Sequence, residues 1–180
     1  MSSIYFGGSR SLSPSPLLAQ VVGAVLASGA PVHVGCSAGA DAQVISCAIR
    51  SSSFQQVHVF AAFGQGGAGA CGVSAVSVVQ SWAQAGGSVS WLAGGSLAVP
   101  LAARLIRRSL AALAGCSAAV FFAPGSGSLA VAAHAVAAGV PVFAFGSMPA
   151  AIPGAAGSWV SSFFFGFPCW QFQPAQQALF

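Results

Sequence analysis

Three short segments of this chain combine small residues with groups that can hold an anion. They are Gly7-Gly8-Ser9-Arg10, Gly35-Cys36-Ser37-Ala38-Gly39-Ala40-Asp41 and Pro124-Gly125-Ser126-Gly127-Ser128. Glycine and serine leave backbone N–H groups uncovered, and a helix starting at such a segment adds the positive end of its dipole. The chemistry to expect is capture of a phosphate-sized anion. Gly7, Gly8, Ser9 and Arg10 would supply one wall, Gly35, Ser37, Gly39 and Asp41 a second, and Gly125, Ser126, Gly127 and Ser128 a third. Small residues after strands are also ordinary turn chemistry. Three such segments on one sheet edge, together with an arginine and the only acid of the chain, favour a site.

Charged side chains are few enough to consider singly. Asp41 is the only acid, and the five basic residues are all arginine: Arg10, Arg50, Arg104, Arg107 and Arg108. The guanidinium of Arg10 can fork onto phosphate oxygens. Asp41 falls in the first turn of a helix, where a carboxylate suits the dipole in any protein. Its functional roles would be to accept from a ribose hydroxyl or to orient Arg10. Arg104, Arg107 and Arg108 are spaced as neighbours on a helix. They are possible phosphate or DNA contacts, or a solvated face that keeps the chain soluble. His33 and His58 alternate within strand-like runs and read as buried, satisfied residues. With one acid to share, no Ser-His-Asp triad can be built. The five cysteines are scattered without zinc-site spacing. No metal and no cofactor is expected, and the thiols read as small buried hydrophobes of a reducing cytoplasm.

The elements that must position these residues alternate. Strand-like runs at 3–8, 31–35, 56–64, 88–94, 118–124 and 141–145 are separated by helical patterns at 14–28, 39–50, 73–85, 100–114 and after the Gly-Ser turn at 125–128. Continuous apolar strands alternating with helices predict an α/β fold: a Rossmann-like, doubly wound, mostly parallel sheet with helices on both faces. Such sheets bind ligands at the carboxyl ends of their strands, where the strand order reverses. Residues 1–146 form the expected Rossmann-like nucleotide-binding domain. Residues 147–180 read as an aromatic, irregular tail that packs on the domain or on a partner subunit.

Composition sets the remaining bounds. At 180 residues the chain is one domain with a real core. Only 3% of residues are charged against 56% hydrophobic, where about a quarter charged is normal, and the mean hydropathy is +0.84. A membrane span would need roughly 20 consecutive apolar residues. The longest runs, 110–124 and 129–146, are interrupted by Ser117, Gly139 and Pro141. The N-terminal stretch lacks the basic and apolar regions of a signal peptide. No membrane partner and a cytoplasmic location are expected. So sparsely charged a surface must expose large uncharged areas, which predicts a homo-oligomer.

The ordered set "GSR", "VGCSAGADA" and "RLIRRSLAALAGCSAAVFFAPGSGSLAVAAHAVAAGVPVFAF" resembles the Rossmann-like domain of the DNA-processing protein A (Smf) family, within the superfamily that includes the lonely-guy phosphoribohydrolases. The resemblance covers about residues 3–146. It implies binding of a nucleotide or of single-stranded DNA. Gly35, Gly39, Ala40 and Asp41 match the family's glycine-plus-acid motif, and "RLIRRS" matches its arginine-bearing segment loosely. Lonely-guy enzymes carry a catalytic glutamate, and this chain has no glutamate. The expectation is therefore a pocket that binds a nucleotide or other phosphorylated ligand without catalysis. Single-stranded DNA binding, a phosphoribohydrolase-like enzyme and a self-assembling protein with a vestigial pocket are the alternatives.

Overall fold

The computed structural model of the protein describes residues 2–70 and 72–175. The elements in chain order are β1 (Ser3–Gly8), α1 (Pro16–Ala27), β2 (Val32–Val34), α2 (Ala40–Arg50), β3 (Val57–Ala61), α3 (Val73–Gln84), β4 (Ser88–Trp91), α4 (Leu101–Leu113), β5 (Cys116–Phe122), α5 (Ser126–Ala137), β6 (Val142–Phe145), β7 (Gly157–Phe164) and β8 (Phe167–Pro174). They build one eight-stranded sheet in the order β4-β3-β2-β1-β5-β6-β8-β7. The first six strands pair with one another in parallel. The fold is α/β, Rossmann-like and doubly wound, as the alternation of apolar runs and helical periods predicts.

Strand alternation divides the core in two. Ile4 and Phe6 of β1 point to one face with Val32, Val34, Val57, Val59, Val120 and Phe122, and there meet α1, α2 and α3 through Val22, Ile45 and Trp82. Tyr5, Ala119, Phe121 and Val142 point to the other face, against Ala112 and Leu113 of α4 and Leu129 and Ala132 of α5. A strand buried on both faces has no position for a charge, and β1 through β6 carry no acidic side chain, lysine or arginine.

Local signals set the element ends. Ser15 caps α1 by accepting from the Leu18 N–H at 3.2 Å, and Pro16 occupies the first helical turn. Gly29 follows that helix with φ +77°, the left-handed position where a Cβ is disfavoured.

The segment after residue 146 departs from the irregular tail expected of it. Through Ala175 it is mostly a regular β-hairpin: β8 pairs antiparallel with β6, and β7 pairs with β8 along its full length. The turn is Phe165-Gly166, both at positive φ, which suits the right-handed twist of a two-residue hairpin. The buried residues of the hairpin divide between the two faces of the sheet: Phe164 and Cys169 join one core, Phe172 the other. Residues 176–180 of the expected tail lie outside the described residues. Among the described residues, no helix is long and apolar enough to cross a membrane.

Candidate functional site

β1 lies between β2 and β5, and the strand order reverses there. The segments following β1, β2 and β5 therefore meet at the carboxyl edge of the sheet. The ladder between β1 and β5 runs to Gly8↔Phe122, and the Ser9 N–H then donates to the Phe122 carbonyl at 3.0 Å. The Ala40 N–H donates to the Ser9 carbonyl at 3.0 Å, and Ser128 Oγ donates to the Gly8 carbonyl at 3.1 Å. Gln43 fastens the segment after Arg10 by accepting from the Ser15 N–H and donating to the Leu12 and Ser13 carbonyls.

A cavity of about 570 Å³ opens above this junction, within the size range of small-ligand sites. Gly8, Ser9, Arg10, Ser37, Asp41, Arg108 and Gly125 through Ser128 line it. Facing them are Ala102, Leu105, Ile106 and Ser109 of α4 and Val131 of α5, with Tyr5 also in the wall. One wall is polar and backbone-rich, the other largely apolar.

The glycines divide by what surrounds them. A Cβ at Gly8 would strike the Phe122 carbonyl, and one at Gly39 would strike the Ser9 carbonyl; Gly39 also sits at φ +71°. A Cβ at Gly35 would collide with the Arg108 guanidinium, and one at Gly7 would crowd the Tyr5 ring. These four are glycine because the protein itself fills the space. Gly125 and Gly127 differ: a Cβ at either would meet nothing within 4 Å. Gly125 has φ −91° and precedes α5 with no side-chain cap, and Gly127 lies in the first turn of that helix. Neither position needs glycine for the fold, and both face the cavity. The leading N–H groups of any helix lack intrahelical acceptors, so the start of α5 presents uncovered donors here.

The arginines are distributed differently from a basic helical face. Arg104 and Arg108 are buried, at 5% and 4% exposure, whereas Arg107 is exposed. Arg104 donates to the carbonyls of Ala62, Gly69 and Val99, tying the glycine-rich loop after β3 to α4. Its donors serve the fold, which corrects its placement among the possible phosphate contacts. Arg108 forms an ion pair with Asp41, Nη1 to Oδ2 at 2.9 Å, and donates from Nη2 to Ser37 Oγ at 2.9 Å. Asp41 Oδ2 also accepts from the Ser37 N–H at 2.9 Å. Asp41 thus holds Arg108 and the β2 loop rather than orienting Arg10. Arg108 Nε has no hydrogen-bond partner among the described residues. Burial works against the Arg108 charge, but Asp41 and other nearby groups outweigh it and hold the guanidinium above its ordinary value. Burial pushes the Tyr5 phenol up to about 12, reinforced by the Asp41 charge and opposed by Arg108 and a hydrogen bond to Ser109.

His33 and His58 are half-buried and satisfied. His33 Nδ1 lies 2.7 Å from the Ala112 carbonyl, and His58 bonds Ser90 through Nε2 and Ser88 through Nδ1. Among the described residues, no group of three His, Cys, Asp or Glu could hold a metal ion. Tyr5, Ser11, Ala102, Leu105, Ile106, Ser109 and Val131 complete the cavity without having been singled out in the sequence. For α4 a signal existed: residues 102, 105, 106 and 109 share one helical face.

The fold defines an α/β protein of the doubly wound class, with a cavity at its strand switch. Compared with known proteins, the chain matches no family model, no curated protein and no solved structure.

Proposed function

We propose that the protein binds a nucleotide or another phosphorylated small molecule in the cavity between β1, β5 and α4, without turning it over. The observation that carries this reading is the start of α5. There Gly125 and Gly127 leave open space that the fold does not require, beside uncapped N–H groups. An anion accepts from such donors without any cationic side chain. Arg10, exposed at the cavity wall, supplies a cationic side chain. The apolar residues of α4 suit the uncharged part of the ligand. Binding without catalysis is favoured because the one carboxylate at the cavity, Asp41, is held through Oδ2 by Arg108 and the Ser37 N–H. A cytoplasmic setting accompanies this reading, since Cys47, Cys116 and Cys169 are buried free thiols.

A small ligand is favoured over single-stranded DNA by the disposition of the arginines. With Arg104 and Arg108 bonded internally, Arg10 and Arg107 remain as exposed cations of the proposed set. Two phosphate contacts on a single strand would give a log–log salt slope of about −1.4, at roughly −0.7 each. Calorimetric titration with a nucleotide panel and a labelled oligonucleotide at three salt concentrations tests the reading. Saturable binding of a nucleotide, weakened more by Arg10→Ala than by Arg50→Ala, is expected. Oligonucleotide binding with a salt slope of about −1.4 or steeper, and no nucleotide binding, would replace it with the DNA-binding alternative. Equal effects of the two arginine variants would move the site elsewhere.

A further inference from the structure

β7 is the outermost strand of the sheet, beyond β8. Its sequence over Gly157–Phe164 is GSWVSSFF, without a charge, a proline or a register shift against β8. Soluble proteins ordinarily blunt a long sheet edge with one of those devices or with shortness. The opposite edge, β4, has only four residues. β7 has eight.

The backbone of β7 has a defined outward side. The Ala175 N–H donates to the Ala156 carbonyl at 2.9 Å, and the two-residue turn closes on the pair Phe164↔Phe167. Rungs alternate along an antiparallel ladder. Residues 158, 160, 162 and 164 therefore bond toward β8, while Gly157, Trp159, Ser161 and Phe163 turn their N–H and C=O groups outward. The prolines of β8 agree with this assignment. Pro174 stands opposite Gly157 and Pro168 opposite Phe163, the rungs where β8 needs no N–H toward β7.

The outward set is symmetric about Val160. An antiparallel copy with Val160 opposite its own Val160 pairs Trp159 with Ser161 and Gly157 with Phe163, so that every outward residue meets another outward residue. Phe163, 69% exposed, would then lie across from a glycine, an arrangement that covers a bare backbone. No like charges are brought together, and no charge on the strand would select a foreign partner. We propose that the β7 edge is a self-association surface: two copies of the chain join antiparallel through Gly157, Trp159, Ser161 and Phe163 across a two-fold axis at Val160, continuing one sheet into the next. This contact is isologous and closes at a dimer.

The test is light scattering with size-exclusion chromatography on the full chain at about 100 μM, comparing wild type with Ser161→Pro and Ser161→Lys. Ser161→Pro removes an outward N–H and leaves the β8 ladder intact. Ser161→Lys adds charge at the edge and keeps the backbone. The wild type is expected at twice the chain mass and both variants at the chain mass, with unchanged circular dichroism. If the proline variant fails to fold, the lysine variant decides. A monomeric wild type overturns the proposal, and so does a lysine variant as dimeric as the wild type.

Discussion

Asp41→Ala should be among the most damaging single substitutions available in this protein. Asp41 and Arg108 are each about 5% exposed in their side chains, with Nη1 and Oδ2 2.9 Å apart. Removing the carboxylate leaves a buried guanidinium without its counter-charge and the Ser37 N–H without its acceptor. Breaking a buried pair from one side costs about 3–5 kcal/mol, and the stranded amide belongs to that loss. For a domain of this size, 1 kcal/mol corresponds to roughly 2–4 °C in Tm, so the melting temperature should fall by roughly 6–20 °C. The double variant Asp41→Ala/Arg108→Met removes both charges and should be less damaged than the sum of its parts, by a coupling of about 2–3 kcal/mol. Urea unfolding of the two single variants and the double variant measures every corner of that cycle. A loss below about 1 kcal/mol for Asp41→Ala, with no coupling, would refute the reasoning. It would mean that Arg108 reaches water once released and that the pair is not buried in solution.

The remaining expectations read other parts of the structure. Gly127→Ala should leave stability unchanged or raise it by up to about 1 kcal/mol, since helix propensity improves and no neighbour is struck; it should also weaken nucleotide binding. Loss of stability together with binding would show that the glycine serves the fold. Tyr5 is the only tyrosine, so ultraviolet titration reports it alone: the phenolate band should be absent at pH 10 and emerge at about 12. Because the folded value is raised, this residue's contribution to stability is complete below the unfolded value of 10 and is lost as pH rises through the folded one. Burial, aided by the nearby His33, lowers the His58 value from 6.5. The unfolded chain then binds the proton more readily, so stability should fall as pH drops below about 6.5. Urea unfolding at pH 7.5 and 5.5 should show that difference shrinking in His58→Gln.

The apolar runs and helical periods determined the parallel core of this protein from the sequence alone. Side-chain direction repeats every two residues in a strand and about every 3.6 in a helix, so the burial of Val32, Val34, Val21 and Val25 is written locally. The positions of the three Gly-Ser segments follow from the same reading, because a loop after a parallel strand falls on one edge of the sheet. Which of their residues face the cavity does not follow. Gly35, Gly39, Gly125 and Gly127 look alike in sequence, yet the first two yield to Arg108 and Ser9 while the last two yield to open space. Nor does local pattern place the arginines. Arg108 finds Asp41 across 67 positions of chain, and Arg104 finds Gly69 across 35. Only the crossing of α4 over the sheet brings those partners within reach. The hairpin after residue 146 escaped for a related reason: exposed aromatics and serines in β7 mark no buried face until β6 offers an open edge for β8 to join. Periodicity is a property of neighbouring residues, whereas the fate of a charge or an edge depends on what distant segments bring to it.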